Sequence, residues 1–469
     1  MNYLSLNFLI FYFFVYIAYW NIPNNRKRLF LLLASAVFYA FFSLNFLLHL
    51  LLVISANYLL YFALFKSRHY LKFVIILNIL NLAFFKYFYF LMELVGQIAG
   101  IKQLQVKTEL NQYFSSLLHI SGFEIVLPLT ISYYTFQMIS IAVDSKKETV
   151  NEKLSLFDFA SFVLFFPVML AGPILRYKQI SEQFARPVMT EDDMNRGLWL
   201  VIRGIFKKAI LSDYLASSIY PVFGSPGNYS GISLLLTSYF FALHLYLDFS
   251  GLTDLARGIA RLLGFQLPEN FKAPFFMNSF GDFWRRWHLT FSFWIRDYIY
   301  IPLGGSRKGD VRNFLNLVIT FALGGIWHGA SLNFLLWGVL TGFYLSLERV
   351  FEKTPLVQID NLWKKSIHYI LILHIYFISW ILFFTPDVSS AAEIFMSIIT
   401  FKPGLDVATE TGVYALVFTF LFHLGEENPE KFHWFEKIRF KALPVAGVII
   451  VLMMIQAGNR NIDFFYSQF

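Results

Sequence analysis

Two histidines in largely apolar surroundings are the residues of this chain best suited to chemistry. His288 closes the run Gly281-Asp282-Phe283-Trp284-Arg285-Arg286-Trp287-His288, and His328 lies in Gly324-Gly325-Ile326-Trp327-His328-Gly329. Imidazole titrates near neutrality, so it can take a proton from a hydroxyl and return it. Shielding from water favours its neutral form, the one that acts as a base. Trp287 and Trp327 precede the histidines and can pack the rings, exclude water and line the substrate or donor site, while Gly324, Gly325 and Gly329 allow close approach of a helix or a substrate. For each histidine a hydrogen bond to a neighbouring helix is the competing reading. Two within one aromatic, glycine-rich stretch tilt the balance towards catalysis, because ionisable groups inside hydrocarbon are costly and usually functional.

The same stretch holds Arg285, Arg286 and Arg296, with Asp297 beside the last. These arginines either snorkel to headgroup phosphates or clamp an anionic donor such as a phosphopantetheine or nucleotide-bearing thioester. Asp297 pairs with an arginine in the simpler account. No His-Glu-x-x-His pattern, P-loop or Gly-x-Ser-x-Gly elbow occurs, so no metal site is expected. Cysteine is absent, which removes thiolate catalysis and disulfides.

Elements that could position such groups follow from composition. The 469 residues are 57% hydrophobic and only 14% charged, with a mean hydropathy of +0.57, too few charges to cover a water-soluble globule. The chain is expected to be an all-α integral membrane protein with roughly eleven to thirteen segments, some re-entrant or interfacial, around a central tunnel. Barrel-type alternation is not visible. A net charge of +8 fits basic cytoplasmic loops rather than nucleic acid. Leu4 to Trp20, Leu29 to Phe42, Leu44 to Phe65 and Tyr70 to Val95 read as the first four spans. Basic clusters at Arg26-Lys27-Arg28 and at Lys66 to Lys72 share one side; if that side is the cytoplasm, the N-terminus is extracytoplasmic and reads as a span rather than a removable signal.

Gly96 to Gln112 reads as an outer loop. Ile125 to Val143 carries Thr130, Ser132, Thr135 and Gln137, which should face protein. Gly172-Pro173 breaks an apolar run and marks a re-entrant segment. Leu198 to Val222 and Ile232 to Phe249 are spans, and on the second His244 and Asp248 share a face, in a structural or a functional pairing. Arg257 to Phe275 reads as short tilted helices. Ser331 to Val350, Ile367 to Phe384, Gly412 to Leu424 and Ala442 to Gln456 are further spans; Ala391 to Phe401 is too short to cross, and Glu426 to Lys441 reads as charged and exposed. One membrane domain is expected over 1–469, divisible into N-terminal spans (1–150), a catalytic core (151–350) and C-terminal spans (351–469).

Taken together, Phe283-Trp-Arg-Arg-Trp-His288, Trp294-Ile-Arg-Asp-Tyr298, Ile301-Pro-Leu-Gly-Gly305 and Gly325-Ile-Trp-His-Gly329 resemble the membrane-bound O-acyltransferase superfamily, in its bacterial alginate O-acetyltransferase branch. Leu127 to Gln137, Phe165 to Arg176, Asp248-Phe-Ser-Gly251 with Asp254, and the aromatic ending Phe464 to Phe469 extend the resemblance over nearly the whole chain. Thr130 departs from it, since that branch is expected to have glycine there, a difference that bears on the acceptor and not on the reaction class. The resemblance implies transfer of an acyl group, here acetyl, from a cytoplasmic thioester (acetyl-CoA or an acyl carrier protein) to a hydroxyl across the bacterial inner membrane, with no bound cofactor. It implies His328 as the base and His288 as the group that polarises the thioester carbonyl or orients the acceptor. An extracytoplasmic SGNH-type acetyltransferase is the implied partner, finishing transfer onto a surface polysaccharide. D-alanyl transfer to teichoic acid is the alternative within enzymes; a transporter or channel is the alternative outside them.

Overall fold

The structure, a computed structural model, describes residues 2–119, 124–147, 153–352, 362–428, 431 and 452–453. Among these residues the regular structure is helical throughout, apart from a single bridge between Tyr229 and Leu405. The proposed span at 442–456 and the aromatic ending at 464–469 fall outside the described residues, except Leu452 and Met453.

The N-terminal helices are α1 (Leu6–Asn21), α2 (Asn24–Ala40), α3 (Leu44–Leu64) and α4 (Tyr70–Ala99). Ser5 and Ser43 cap α1 and α3 by accepting from Phe8 and Phe46 N–H. Leu52, Phe62 and Ile98 stand on the outer faces more than two-thirds exposed, as helices facing lipid require. The polar segment expected as an outer loop is instead helical, because α4 runs on to Ala99 and α5 (Lys107–Leu118) follows a short turn. Residues 124–130 are not helical; α6 (Ile131–Lys146) starts after Thr130, which sits at φ +61°. That left-handed conformation favours glycine and is unfavourable for a β-branched residue by about 1–2 kcal/mol. Backbone conformation therefore accounts for glycine at this position without reference to the acceptor. Thr135 and Gln137 are buried, as expected.

The break at Gly172-Pro173 is real. After α7 (Leu156–Val163) and the one-turn α8 (Phe166–Met169), the chain runs without regular structure to α9 (Tyr177–Ala185). α10 (Glu191–Ile205) then continues through a π-helical turn at Phe206–Ser212 into α11 (Asp213–Gly224). α12 (Gly231–Leu262) is the buried spine, with nearly every side chain from Ser238 to Ala256 enclosed. It extends thirteen residues beyond the expected end at Phe249, so the short tilted helices expected from Arg257 begin only after Leu262. α1 docks on its last turns, where Tyr12 hydroxyl and Trp20 indole donate to the carbonyls of Ile259 and Leu262.

Charges along this spine are paired. Lys208 binds Asp213 at 2.7 Å and Asp248 at 2.8 Å, Arg203 binds Asp254 at 2.6 Å, and Lys207 lies 3.1 Å from Asp254. Asp248 thus serves the α10–α11 turn, while His244 bonds Ser212 and Tyr220 at 2.9 and 3.2 Å. The shared face of His244 and Asp248 is used to fasten two elements together.

The central stretch is a chain of broken helices: α13 (Phe280–Trp284), α14 (Leu289–Ile295), a π turn at Arg296–Tyr300, and then α15 (Asp310–His328). α16 (Leu332–Glu352) packs on α15 through glycines. A Cβ on Gly325 would lie 2.1 Å from the Phe334 carbonyl, and one on Gly338 would lie 2.2 Å from that of Phe321. α17 (Leu362–Ser379), α18 (Ile381–Phe384), α19 (Val388–Ile399) and α20 (Glu410–Glu427) complete the described chain. Among the described residues, α3, α4, α12 and the run Lys365–Phe384 have the length and apolarity to cross a membrane unaided. The remaining helices are shorter, interrupted or charged.

Gly338→Ala should force α15 and α16 apart and lower the unfolding free energy by about 1–3 kcal/mol, as overpacking does. Thermal unfolding of the detergent-solubilised protein measures this.

Candidate active site

His288 caps the start of α14 with φ +41°. A left-handed non-glycine residue persists only where its surroundings hold it, and here they do. The Leu289 N–H donates to the Asn270 carbonyl at 2.9 Å, and the Ser292 N–H donates to the His288 carbonyl at 2.9 Å. The His288 ring is 2% exposed, edge-on to Phe249 at 4.7 Å and stacked on Phe291 at 5.1 Å.

Asn270, unremarked in the sequence, sets the state of this ring. Its Oδ1 lies 3.2 Å from the Thr290 N–H, 2.7 Å from the Thr290 hydroxyl and 3.2 Å from His288 Nδ1. A backbone N–H can only donate, so the atom that faces it is the carboxamide oxygen and not the NH2 group. His288 Nδ1 must therefore carry a proton in order to donate to that oxygen, which leaves Nε2 as the lone-pair nitrogen. Nε2 is shielded and has no partner among the described residues. The Thr290 hydroxyl in turn accepts from the Ile174 N–H at 3.0 Å. The irregular segment after Gly172-Pro173 is thus bonded into the same network.

The backbone around Asn270 is irregular and buried, so side chains satisfy it. Glu426 accepts from the Ala273 N–H at 2.6 Å, and His423 Nε2 accepts from the Phe275 N–H at 3.2 Å. Glu426, expected in an exposed charged run, is mostly enclosed because it also receives Tyr246 hydroxyl and Lys207.

His328 is the last residue of α15 and 5% exposed. Its ring lies 4.7 Å from Trp327, 4.9 Å from Phe383 and 6.1 Å from Phe291. Phe291 and Trp327 contact both histidines, Trp327 lying 6.4 Å from His288. The terminal carbonyls of α15 are capped from α4: Lys86 donates to the Trp327 carbonyl and Tyr87 to the Ile326 carbonyl, each at 2.6 Å. Beyond Gly329 a cavity of about 550 Å³ is lined by Lys86, Tyr89, Ser331, Phe334 and Thr385 among others. Lys86 is the one charged residue in the apolar run from Phe73 to Met92, a readable signal of this contact.

The other expected residues lie elsewhere. Trp287 turns away from the histidines into a cluster with Phe271, Phe283 and Trp380. Arg286 is tied to Asp282 at 2.9 Å and to Glu427. Asp297 is shared by Arg176 at 2.5 Å and Arg296 at 2.6 Å. The side chains of Arg285 and Arg296 remain 69% and 53% exposed, although Arg296 bonds both Asp297 oxygens and Arg285 lies 3.6 Å from Asp282. Among the described residues no three histidine, aspartate or glutamate side chains gather into a metal-ligand set.

Asn270→Leu, similar in volume, should leave the His288 Nδ1–H and the Thr290 N–H unsatisfied. It is expected to lower unfolding free energy by about 1–3 kcal/mol, and nitrogen NMR of labelled histidine should show His288 losing its single tautomer.

The sequence profile of the membrane-bound O-acyltransferase family matches residues 102–386, which include both histidines, Asn270 and Trp327. The chain is 32% identical to the probable alginate O-acetylase AlgI of Pseudomonas aeruginosa, over 85% of this chain and 75% of that protein. It is 30% identical to the peptidoglycan O-acetyltransferase of Helicobacter pylori, over 81% and 75%. The teichoic acid D-alanyltransferase of Bacillus subtilis matches at 29% over 48% of this chain and 60% of that protein. Alignments with the alginate O-acetylase relatives span from 54% to 83% of those proteins' own lengths. With both histidine motifs brought to one aromatic wall and a profile match across them, the chain belongs to the membrane-bound O-acyltransferase family and is a multi-pass membrane O-acyltransferase.

Proposed function

We propose that this protein moves an acetyl group from a cytoplasmic thioester, acetyl-CoA or an acyl carrier protein, to a hydroxyl on the far side of the bacterial inner membrane, for O-acetylation of a cell-surface polysaccharide. The observation that carries this reading is the prepared acceptor nitrogen of His288, held beside Trp327 and His328 and shielded from water. A neutral His288 whose only N–H is committed to Asn270 has no proton at Nε2 to offer a carbonyl. Of its two expected roles, orienting the acceptor hydroxyl therefore fits and polarising the thioester does not. His328 acts as the base on that hydroxyl. Arg285 and Arg296, the exposed pair, receive the phosphates of the donor, and the N-terminus faces the extracytoplasmic side. Acetyl is favoured over D-alanyl by the greater share of the chain that the acetylating relatives match. An extracytoplasmic SGNH-type acetyltransferase takes the group onward.

Purified protein given labelled acetyl-CoA and a hydroxyl acceptor should form an acetyl ester. His328→Ala should reduce the rate by about 10²–10⁴-fold, the worth of a positioned acid–base group, while the protein stays inserted and folded. Ester formation only from D-alanyl carrier protein would move the reading to D-alanyl transfer. Cargo movement that tolerates glutamine at both histidines, without ester formation, would mark a transporter.

A further inference from the structure

Acyl transfer needs a donor for the oxygen on which negative charge develops, and the His288 tautomer cannot supply it. We propose that the indole N–H of Trp327 is that donor, a role beyond packing and water exclusion; the inference rests on the acyltransfer reading above. The Trp327 ring lies against both imidazoles, 6.4 Å from His288 and 4.7 Å from His328. It is wedged between Phe291, stacked at 4.6 Å, and Phe136 at 5.3 Å. Its backbone is fixed by the bond from Lys86 to its carbonyl. Lys86 Nζ also stands 5.8 Å from the ring centroid, within cation–π range, and so helps to fix the ring.

Despite this immobilisation, Trp327 Nε1 is shielded from solvent and has no acceptor among the described residues. By contrast, Trp294 and Trp20 direct their indole N–H at the carbonyls of Phe136 and Leu262. Trp284 and Trp337 also have shielded indole nitrogens with no acceptor in hydrogen-bond geometry among the described residues. Trp337 touches His328, but among the described ring contacts neither it nor Trp284 meets both histidines. The Asn270 carboxamide nitrogen is a further shielded donor, yet it belongs to the group that grips His288 Nδ1, not to the Nε2 edge.

The acceptor hydroxyl oxygen attacks the thioester carbonyl carbon, and its proton passes to imidazole. The carbonyl π electrons move onto oxygen, and Trp327 Nε1–H donates to that oxyanion. Collapse restores the C=O bond, breaks the C–S bond, and the imidazolium proton leaves with the thiolate. A donor that engages most strongly in the tetrahedral state should affect kcat far more than KM.

The test replaces Trp327 with β-(3-benzothienyl)alanine, in which sulfur takes the place of N–H in a ring of nearly the same shape, and in parallel with Phe. Expected for the isosteric variant is a fall in kcat of about 10²–10³-fold, with KM for the donor within about twofold and an unchanged thermal midpoint. Wild-type kcat in that variant would overturn the assignment, even if Trp327→Phe were inactive, because the ring would then matter and the N–H would not. Absence of acyl transfer by the wild-type protein in the same assay would instead overturn the proposed function.

Discussion

Buried backbone that is not helical must find its hydrogen-bond partners inside the protein, because hydrocarbon provides none. That demand organises the centre of this molecule. The run from Asn270 to Phe276 carries a left-handed Ala273 and forms only a short 3-10 turn. Its donors and acceptors are met by Glu426 and His423 on α20, by the carbonyl of Arg286, and by the Tyr369 hydroxyl on α17. A segment held at so many points can present Asn270 in one orientation. The imidazole of His288 takes its tautomer from that orientation, so the chemistry of the site is set by the way an irregular loop satisfies its own backbone.

A second constraint acts on His328. α15 ends at this residue, and the exposed carbonyls of a helix end need donors. Lys86 and Tyr87 supply them from α4, while glycines at 325, 329 and 338 let α16 and Phe334 close in from the other side. The ends of two unrelated segments are thereby brought to the same aromatic wall. Around α12 the paired lysines, arginine and aspartates perform the matching service for α10 and α11; each charge is matched, as burial away from water requires.

Much of this was legible in the residues. The histidines, the Gly-Pro interruption and the inward-facing Thr135 and Gln137 follow from the expense of polar groups in an apolar chain, and the structure encloses them as that expense predicts. α12 and α4 run longer than their local composition predicts, for a common reason. Arg257, Arg261 and the polar residues after Val95 look like loop composition, yet Arg261 is neutralised by Asp193 and the end of α4 is tied to the turn after it by the bond from the Gln105 carboxamide to the Gly96 carbonyl. Glu426 looked exposed by the same logic and is instead drawn in by Lys207 and the Ala273 amide. Thr130 looked like a clue to the acceptor, whereas its positive φ shows a requirement of the backbone.

From the sequence alone come the membrane setting, the helical class, the family motifs and the identity of the two histidines, because hydropathy and residue type are local properties. Only the folded chain decides which nitrogen of His288 is free, that Trp287 turns away while Trp327 faces both imidazoles, and that Arg286 is enclosed between Asp282 and Glu427 while Arg285 and Arg296 stay mostly exposed. Those outcomes depend on groups such as Asn270, Lys86 and Glu427, distant along the chain, whose hydrogen bonds exist only once α4, α14, α15 and α20 are packed together.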